Sequence, residues 1–540
     1  MVSDELQEEM KKWEDCAKIF INAGTGSGKT YFVINTYIPY ILEKNGNILM
    51  LCNRNTLKSQ IEEDFENMIF RKYQYPAEAR RKVEIQTYQA LEQDLIVNGY
   101  DACKRKYVKY HVIVCDEVHY FLCDSIFNTN TIQSFDFIVR EWMDKQCIFI
   151  SATIDRIQEE IIGAFDDINN ARLKYPYAPT NLSHFWNKRR YTYGHSIDFS
   201  NLEVFNFQNL KHLTELIINN KEKWLIFVSS FTDAEKIYDD LCKQDEKSIG
   251  FCCSNEEDVI KKYKGRAIDE IKNMLAKENR FTERILISTA VLDNGISMKD
   301  KKLLNIAILT GDKESFLQMI GRKRILADEK VHLYLCIQNK SYFSKKKSTI
   351  HQLLNEYLVM DRKQQSEIGQ FLLQSRDKKN IFLHQYMTVV RTEPYGKAQF
   401  RINTLSIKQW RYLYNEYGEI CNGLEIDENF FIRKQLEWLG LDESNVVDHS
   451  FEYKQKILQE IIEDLKREME QPVDKDTCIK ILLKYRDVVH EEIDVSIRLN
   501  ENLSGKKLNA LFEKYNVNAR INSTKNKNRK NVYYVEEIRT

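Results

Sequence analysis

The stretch AGTGSGKT at residues 23–30 decides how the rest of this 540-residue chain is read. It follows the apolar run KIFIN at 18–22 and opens an amphipathic segment, so it marks a strand-to-helix turn. Its glycines let backbone N–H groups converge at a helix N-terminus, the arrangement that cradles phosphate. In such a loop Gly24, Thr25, Gly26, Ser27 and Gly28 wrap the phosphates, Lys29 reaches the terminal ones and the Thr30 hydroxyl ligates Mg²⁺. The general pattern has glycine where Ala23 stands here.

Eighty-seven residues beyond Lys29, VIVCDEVHY places Asp116 and Glu117 at the end of an apolar run. One acid there can hold Mg²⁺ while its neighbour orients the attacking water. Around these two stretches, short apolar runs alternate with longer amphipathic segments as far as about residue 340, the pattern of a parallel α/β sheet. The runs fall at 18–22, 47–52, 83–87, 111–115 and 147–150, and again at 224–228, 284–288, 304–309 and 331–336. Between the two sets, residues 175–194 carry two prolines and no regular period, which reads as a linker.

Ala-x-x-Gly-x-Gly-Lys-Thr followed by Asp-Glu-x-His resembles motifs I and II of the DExH group of superfamily 2 helicases, and further motifs follow in order over residues 1–340. Asn53 to Leu57 resembles motif Ia, and Gln86 to Gln89 the next strand-end motif. Ser151-Ala152-Thr153 resembles motif III, Phe227 to Ser230 motif IV, Ser288 to Gly295 motif V and Gln318 to Arg324 motif VI. The resemblance implies two tandem RecA-like lobes, 1–175 and 201–340, joined by a linker at 176–200. ATP with Mg²⁺ would be hydrolysed between them.

Arg322 and Arg324 would then supply cations from the second lobe, since arginine is always protonated and forked. The family spaces its two arginines three apart, and here position 325 is Ile. Gln318 would contact the water or γ-phosphate, and Asp293 the ribose. Ser151 and Thr153 would relay nucleotide state between lobes, or simply cap the next helix. His119 would couple the acid pair to the opposite lobe, or serve as a buried structural histidine. Arg54, Thr56, Thr87, Ser229 and Thr289 would hold a nucleic-acid backbone, and such contacts carry no sequence information. DNA is favoured over RNA because the chain lacks the Pro-Thr-Arg-Glu-Leu and Asp-Glu-Ala-Asp spellings of DEAD-box RNA helicases.

Eighty Lys and Arg balance eighty Asp and Glu, so any nucleic-acid surface is a local patch. No run has the 18 or more apolar residues of a membrane span, and the twelve cysteines form no C-x-x-C pair or zinc cluster. A reducing, cytoplasmic setting fits. Past 340 the pattern turns helical, read as an accessory domain at 341–495 able to dock a protein partner. Residues 496–540 read as a basic helix and hairpin, winged-helix-like, with nine Lys and Arg against four acids from 501 onward. The hairpin turn carries Lys525, Lys527, Arg529 and Lys530, which would touch phosphate or simply be solvated. The helix around 410–417 reads as a buried aromatic stripe. The functions left open are an unwinding motor, an ATP-gated clamp, and the motor subunit of a replication, restriction or phage-defence assembly.

Overall fold

The computed structural model describes residues 2–24, 26–173, 189–195, 198–244, 246–252, 274–275, 278–289, 298–326, 329–361, 387–391, 398–493, 502–526 and 530–537. The first lobe is a six-stranded sheet of β1 (Lys18–Ala23), β2 (Ile48–Cys52), β3 (Val83–Thr87), β4 (Val112–Cys115), β5 (Gln146–Ser151) and β6 (Arg190–His195). Its order is β3-β2-β4-β5-β1-β6, every pair parallel. β2, β4 and β5 are buried along their whole length, as strands covered by helices on both faces must be. The two faces carry separate apolar layers, one around Phe32, Tyr37 and Ile61, the other around Tyr88, Phe121 and Phe137.

The second lobe holds β7 (Leu202–Phe207), β8 (Lys223–Val228), β9 (Ile249–Cys252), β10 (Ile285–Ser288), β11 (Leu303–Leu309) and β12 (Val331–Cys336). A seventh strand, β15 (Val446–Asp448), joins from far along the chain, giving the parallel order β15-β7-β12-β11-β8-β10-β9. Two parallel α/β lobes are therefore present, as the alternating pattern implies, in the tandem RecA-like arrangement that the motif resemblance implies. The reading of 176–200 as linker needs correction: its final part forms β6, an edge strand beside β1. Alternating Tyr191 and Tyr193 against the lobe core explain that pairing.

The helices that place the site are α1 (Lys29–Phe32), α2 (Asn55–Lys72), α3 (Tyr88–Asn98) and α4 (Asp155–Leu173) in the first lobe, and α5 (Lys313–Ile320) in the second. Beyond them lie α6 (Lys340–Asp361), the hairpin β13 (Met387–Arg391) and β14 (Ala398–Ile402), α7 (Thr404–Ile426) and α8 (Phe430–Leu439). α7 buries Trp410, Leu413 and Tyr417 against α6, so the aromatic stripe is core. At 23 residues α7 is about 35 Å long. Its N-terminal end puts Leu405 into the first lobe's core, while α8 puts Ile432, Leu436 and Leu439 into the second's. The two helices strap the lobes together.

The last unit is larger than the sequence reading of 496–540. α9 (His449–Glu468), β16 (Val473–Asp474), α10 (Lys475–Glu492), α11 (Gly505–Lys514), β17 (Ala519–Lys525) and β18 (Asn531–Glu537) share one apolar core, so the accessory region ends near 448 rather than 495. The local period of α9 and α10 is helical whichever unit owns them, which is why the boundary was misplaced. No helix among the described residues is long and apolar enough to cross a membrane. Among the described residues no group of three or more His, Cys, Asp or Glu could hold a metal ion.

Candidate nucleotide site between the lobes

β1 ends at Ala23 in the interior of the first sheet, and the chain turns through Gly26 and Gly28, both at φ +91°. That left-handed conformation suits glycine and few other residues. The Ser27 amide and hydroxyl both donate to the Gly24 carbonyl, at 3.3 and 2.8 Å, closing the turn. Gly28 caps α1 without a side-chain bond, which leaves the first helical N–H groups aimed out of the loop. Lys29 is only 6% exposed and donates to the Ala23 carbonyl at 2.5 Å, so its charge is held inside the loop. Thr30 follows in the first turn of α1. Thr25 lies outside the described residues.

β5 separates β1 from β4, so the acid pair lies two strands from the loop on the same sheet edge. Asp116 is buried, and its Oδ1 accepts the Glu117 amide at 3.0 Å. Glu117 sits at φ +51°, a left-handed conformation that costs a non-glycine residue about 1 kcal/mol. The turn brings Glu117 Oε2 to 3.3 Å from His119 Nδ1. Burial and the charge of Glu117 push the Asp116 carboxyl up, with Lys29 pulling against them. Burial opposes ionisation of Glu117 as well, but Lys29, His119 and Arg322 outweigh it and hold its carboxyl low. The donor set of Thr30 hydroxyl and Asp116 carboxylate is all hard oxygen, and the loop glycines keep a backbone cradle free of Cβ atoms. Those residues fit a nucleotide with Mg²⁺.

The second lobe closes the site. Asp312 caps α5 through the Ser315 amide at 2.8 Å, and one face of the helix turns Gln318 toward the first lobe. Gln318 Nε2 lies 2.5 Å from His119 Nε2, donating to it and leaving the ring proton on Nδ1, which faces Ser151 Oγ at 2.9 Å and Glu117. Ser151 Oγ also accepts the Thr153 amide at 3.0 Å. A continuous hydrogen-bonded path therefore runs from the end of β5 through His119 to α5 of the opposite lobe. The Thr153 hydroxyl is buried without a partner.

The arginine spacing has a local explanation. Met298 bridges the chain on both sides of Lys323, donating to the Arg322 carbonyl at 2.7 Å and accepting the Arg324 amide at 2.8 Å. That stretch is extended, and side chains two apart in an extended chain share a face. Lys323 turns away to pair with Glu329 at 2.6 Å, both buried. Arg322 bonds the Gln318 carbonyl through Nε at 3.2 Å and adds positive charge near Glu117. Arg324 lies over the phosphate loop: its Nη1 stands 2.1 Å from where a Cβ on Gly26 would be. Ile325, where the family has its second arginine, packs on the second lobe's core.

The nucleic-acid candidates fall at neighbouring strand ends away from the loop. Arg54 precedes α2 and pairs with Asp124 at 3.4 Å, and Thr56 lies in the first turn of that helix. Thr87 is buried with its hydroxyl accepting the Ala90 amide at 3.1 Å, so it serves as the cap of α3 and is not presented to a backbone. Ser229 is exposed at the end of β8, and Thr289 follows β10 with its amide on the Cys252 carbonyl at 3.1 Å. Lys525 and Lys530 are exposed on either arm of the terminal hairpin. Asp293, Lys527 and Arg529 lie outside the described residues.

Sequence reading missed one cluster. Arg156 on α4 bonds Glu314 of α5 at 2.9 Å and Glu416 of α7 at 3.1 Å, and stacks on Tyr412. Burial and then Asp312 push Glu314 up to about 8, with Arg156 pulling it down. Burial likewise raises Glu416. Glu314 is four residues before Gln318, one helical turn, and that periodicity was the only available signal.

Residues 1–156 match the family described as "Type III restriction enzyme, res subunit". No curated protein matches the sequence. Similar solved structures include Saccharomyces cerevisiae Dbp5 bound to RNA and ADP BeF3, at 16% identity and TM-score 0.39 over 59% of this chain and 79% of that one. Mycobacterium smegmatis helicase Lhr bound to ssDNA and AMP-PNP matches at 15% identity and TM-score 0.39, over 65% and 47%. DEAD-box helicase Mss116 bound to ssRNA and UDP-BeF matches at 13% and 0.45, over 82% and 90%. The superfamily 2 reading of the first lobe's motifs is borne out by the family match.

Proposed function

We propose that this chain is an ATP-driven motor that moves along nucleic acid and separates its strands, with DNA as the favoured substrate. The observation that carries the reading is the composite site. Lys29, Asp116 and Glu117 come from one lobe, and Gln318, Arg322 and Arg324 reach it from the other. A site completed only when the lobes meet ties the chemistry to their motion. Lys29 and the loop amides bind the phosphates of ATP, and Asp116 with Thr30 would hold Mg²⁺. The metal, when bound, offsets negative charge on the phosphates. Glu117, ionised and aimed by His119, accepts the proton of the attacking water. Arg324 over the loop and Arg322 beside it stabilise the charge that builds on the transferred phosphoryl group.

The deciding measurement is ATP turnover against single- and double-stranded DNA and RNA at several salt concentrations. Failure of every nucleic acid to accelerate turnover would sink the motor reading. A second reading is favoured by the match of residues 1–156 to a restriction-enzyme subunit: the chain is the motor of an assembly whose other activity lies on a separate chain. The helices α6, α7 and α8 then offer the docking face. Co-purification of a stable partner, together with no strand separation by the chain alone on a tailed duplex, would decide for it.

A further inference from the structure

The terminal unit has its own architecture and its own electrostatics. Its order is helix, strand, helix, helix, strand, strand, with an antiparallel sheet β16-β18-β17. That is the element order of a winged helix, three helices and a short strand followed by a hairpin wing. α11 is the third helix of the unit, and it buries Leu508, Leu511 and Phe512 while exposing Lys506, Lys507, Ala510, Glu513 and Lys514, the last paired with Glu428 at 3.1 Å. Asn509 fixes the helix to the wing through both backbone groups of Ile521, Nδ2 to its carbonyl at 2.9 Å and Oδ1 to its amide at 2.7 Å. The angle between helix and hairpin is thereby set. The hairpin end is closed by the Asn526 amide on the Lys530 carbonyl at 2.9 Å, with Lys525 and Lys530 exposed on its two arms. Between α11 and β17 runs a cleft of about 1210 Å³, whose charged lining is Lys475, Lys506 and Arg520 against one carboxylate, Glu513.

We infer that the unit of α9 to α11 and β16 to β18 grips duplex DNA, with α11 in the major groove and the Lys525 and Lys530 arms of the wing on flanking phosphate. A helix with its side chains is about 10–12 Å across and the B-form major groove about 12 Å wide, so α11 fits. The small Ala510 on the outward pole lets the helix seat closely. The A-form major groove is deep and narrow and admits no such helix, so the ligand is duplex DNA and not duplex RNA. The clustered cations, in a chain whose net charge is zero, supply the counterion-release term.

The grip rides on the second lobe. Tyr453 of α9 stacks on His212 at 4.1 Å, Asn209 donates to Glu492 at 2.6 Å, and the Ser450 amide donates to Asn206 at 3.2 Å. Duplex held by this unit would move with the lobe that carries Arg322 and Arg324. The inference does not rest on ATP hydrolysis, because duplex binding is measured without nucleotide.

The test is fluorescence anisotropy of the full chain with a blunt mixed-sequence DNA duplex, the matching single strand and the same duplex in RNA, over a salt series. Duplex DNA should bind at least tenfold tighter than duplex RNA. The quadruple variant K506E/K507E/K525E/K530E should lose duplex-DNA affinity by tenfold or more and flatten the salt slope by about 0.9 per cation removed. The neutral set K506Q/K507Q/K525Q/K530Q, checked for an unchanged melting temperature, should lose less in the same direction. Reversing Lys221 and Lys243, exposed on the second lobe, controls for general charge. Duplex-DNA affinity unchanged in both quadruple variants, equal loss on single strand and duplex, or equal affinity for duplex RNA would each overturn the assignment.

Discussion

Replacing Arg156 with Ala should weaken the closed arrangement of the lobes in a pH-dependent way. Its guanidinium faces Glu314 at 2.9 Å and Glu416 at 3.1 Å, with Asp312 close by, so the substitution leaves acids facing one another with no cation between them. Stripping one partner from a buried ion pair costs about 3–5 kcal/mol. The Arg156 side chain is 21% exposed, so solvent takes up part of the loss and about 3 kcal/mol is expected above pH 8, where the facing carboxyls are ionised. With Glu314 raised to about 8, its carboxyl is already largely neutral at pH 6, so little charge is stranded there and the loss grows as pH rises toward and past 8.

The sign follows from the raised carboxyls. A carboxyl whose folded value lies above its unfolded one contributes fully below the unfolded value and destabilises as pH rises through the folded one. Glu314 is raised to about 8 and Glu416 is raised too, so the wild-type chain should itself lose stability from pH 6 to 8. The Arg156→Ala deficit should widen over the same window. Urea unfolding at pH 6, 7, 8 and 9 reads the stability, and the KM for ATP reads closure of the cleft. Arg156→Lys, which keeps the charge but not the fork, should fall between. A deficit equal at pH 6 and 8, or none at all, would refute the ion-network account.

Glu117→Gln should retain ATP binding by fluorescent-nucleotide titration while turnover falls by about 10²–10⁴-fold, the usual worth of a positioned base; normal turnover would remove Glu117 from its role. Arg324→Ala should lower kcat by about 10³-fold, with Arg322→Ala at least as damaging. A mild effect of Arg324→Ala would mean that its seat over Gly26 is packing alone. Gly26→Ala puts a methyl into the Arg324 side chain at a φ that alanine resists, and should weaken nucleotide binding. His119→Ala cuts the link between Gln318 and Ser151, so the acceleration of turnover by nucleic acid should shrink more than basal turnover; equal losses of both would argue against a relay.

Much of the first 340 residues was legible because buried parallel strands are written as continuous apolar runs, and the phosphate loop sits where such a run stops. β6 was not, since Arg190–His195 alternates tyrosine with polar residues and reads as irregular chain until β1 offers it an edge. Arg324 comes one place before the family's second arginine, and spacing alone does not record the conformation of the segment. The bridge at Met298, a contact from another part of the chain, makes it extended. The Arg156 cluster joins residues up to 260 positions apart, and no local period records that distance. Thr87 shows the converse: a threonine at a strand end satisfies a helix cap and a phosphate contact equally well on paper, and only burial separates them.

The short strand β15 changes what counts as the smallest intact two-lobe unit. Val446, Val447 and Asp448 pair with Val204, Phe205 and Asn206, which closes the outer side of β7. A fragment trimmed at residue 340, where the recognisable motifs end, would leave that side bare and lift α8 off the second lobe's core. An unpaired, apolar strand border recruits other chains, so the trimmed fragment should come out of the cell as aggregate while one carried through residue 448 stays dispersed. The region with least to say in sequence is thus the selvedge that keeps the second lobe's sheet from unravelling.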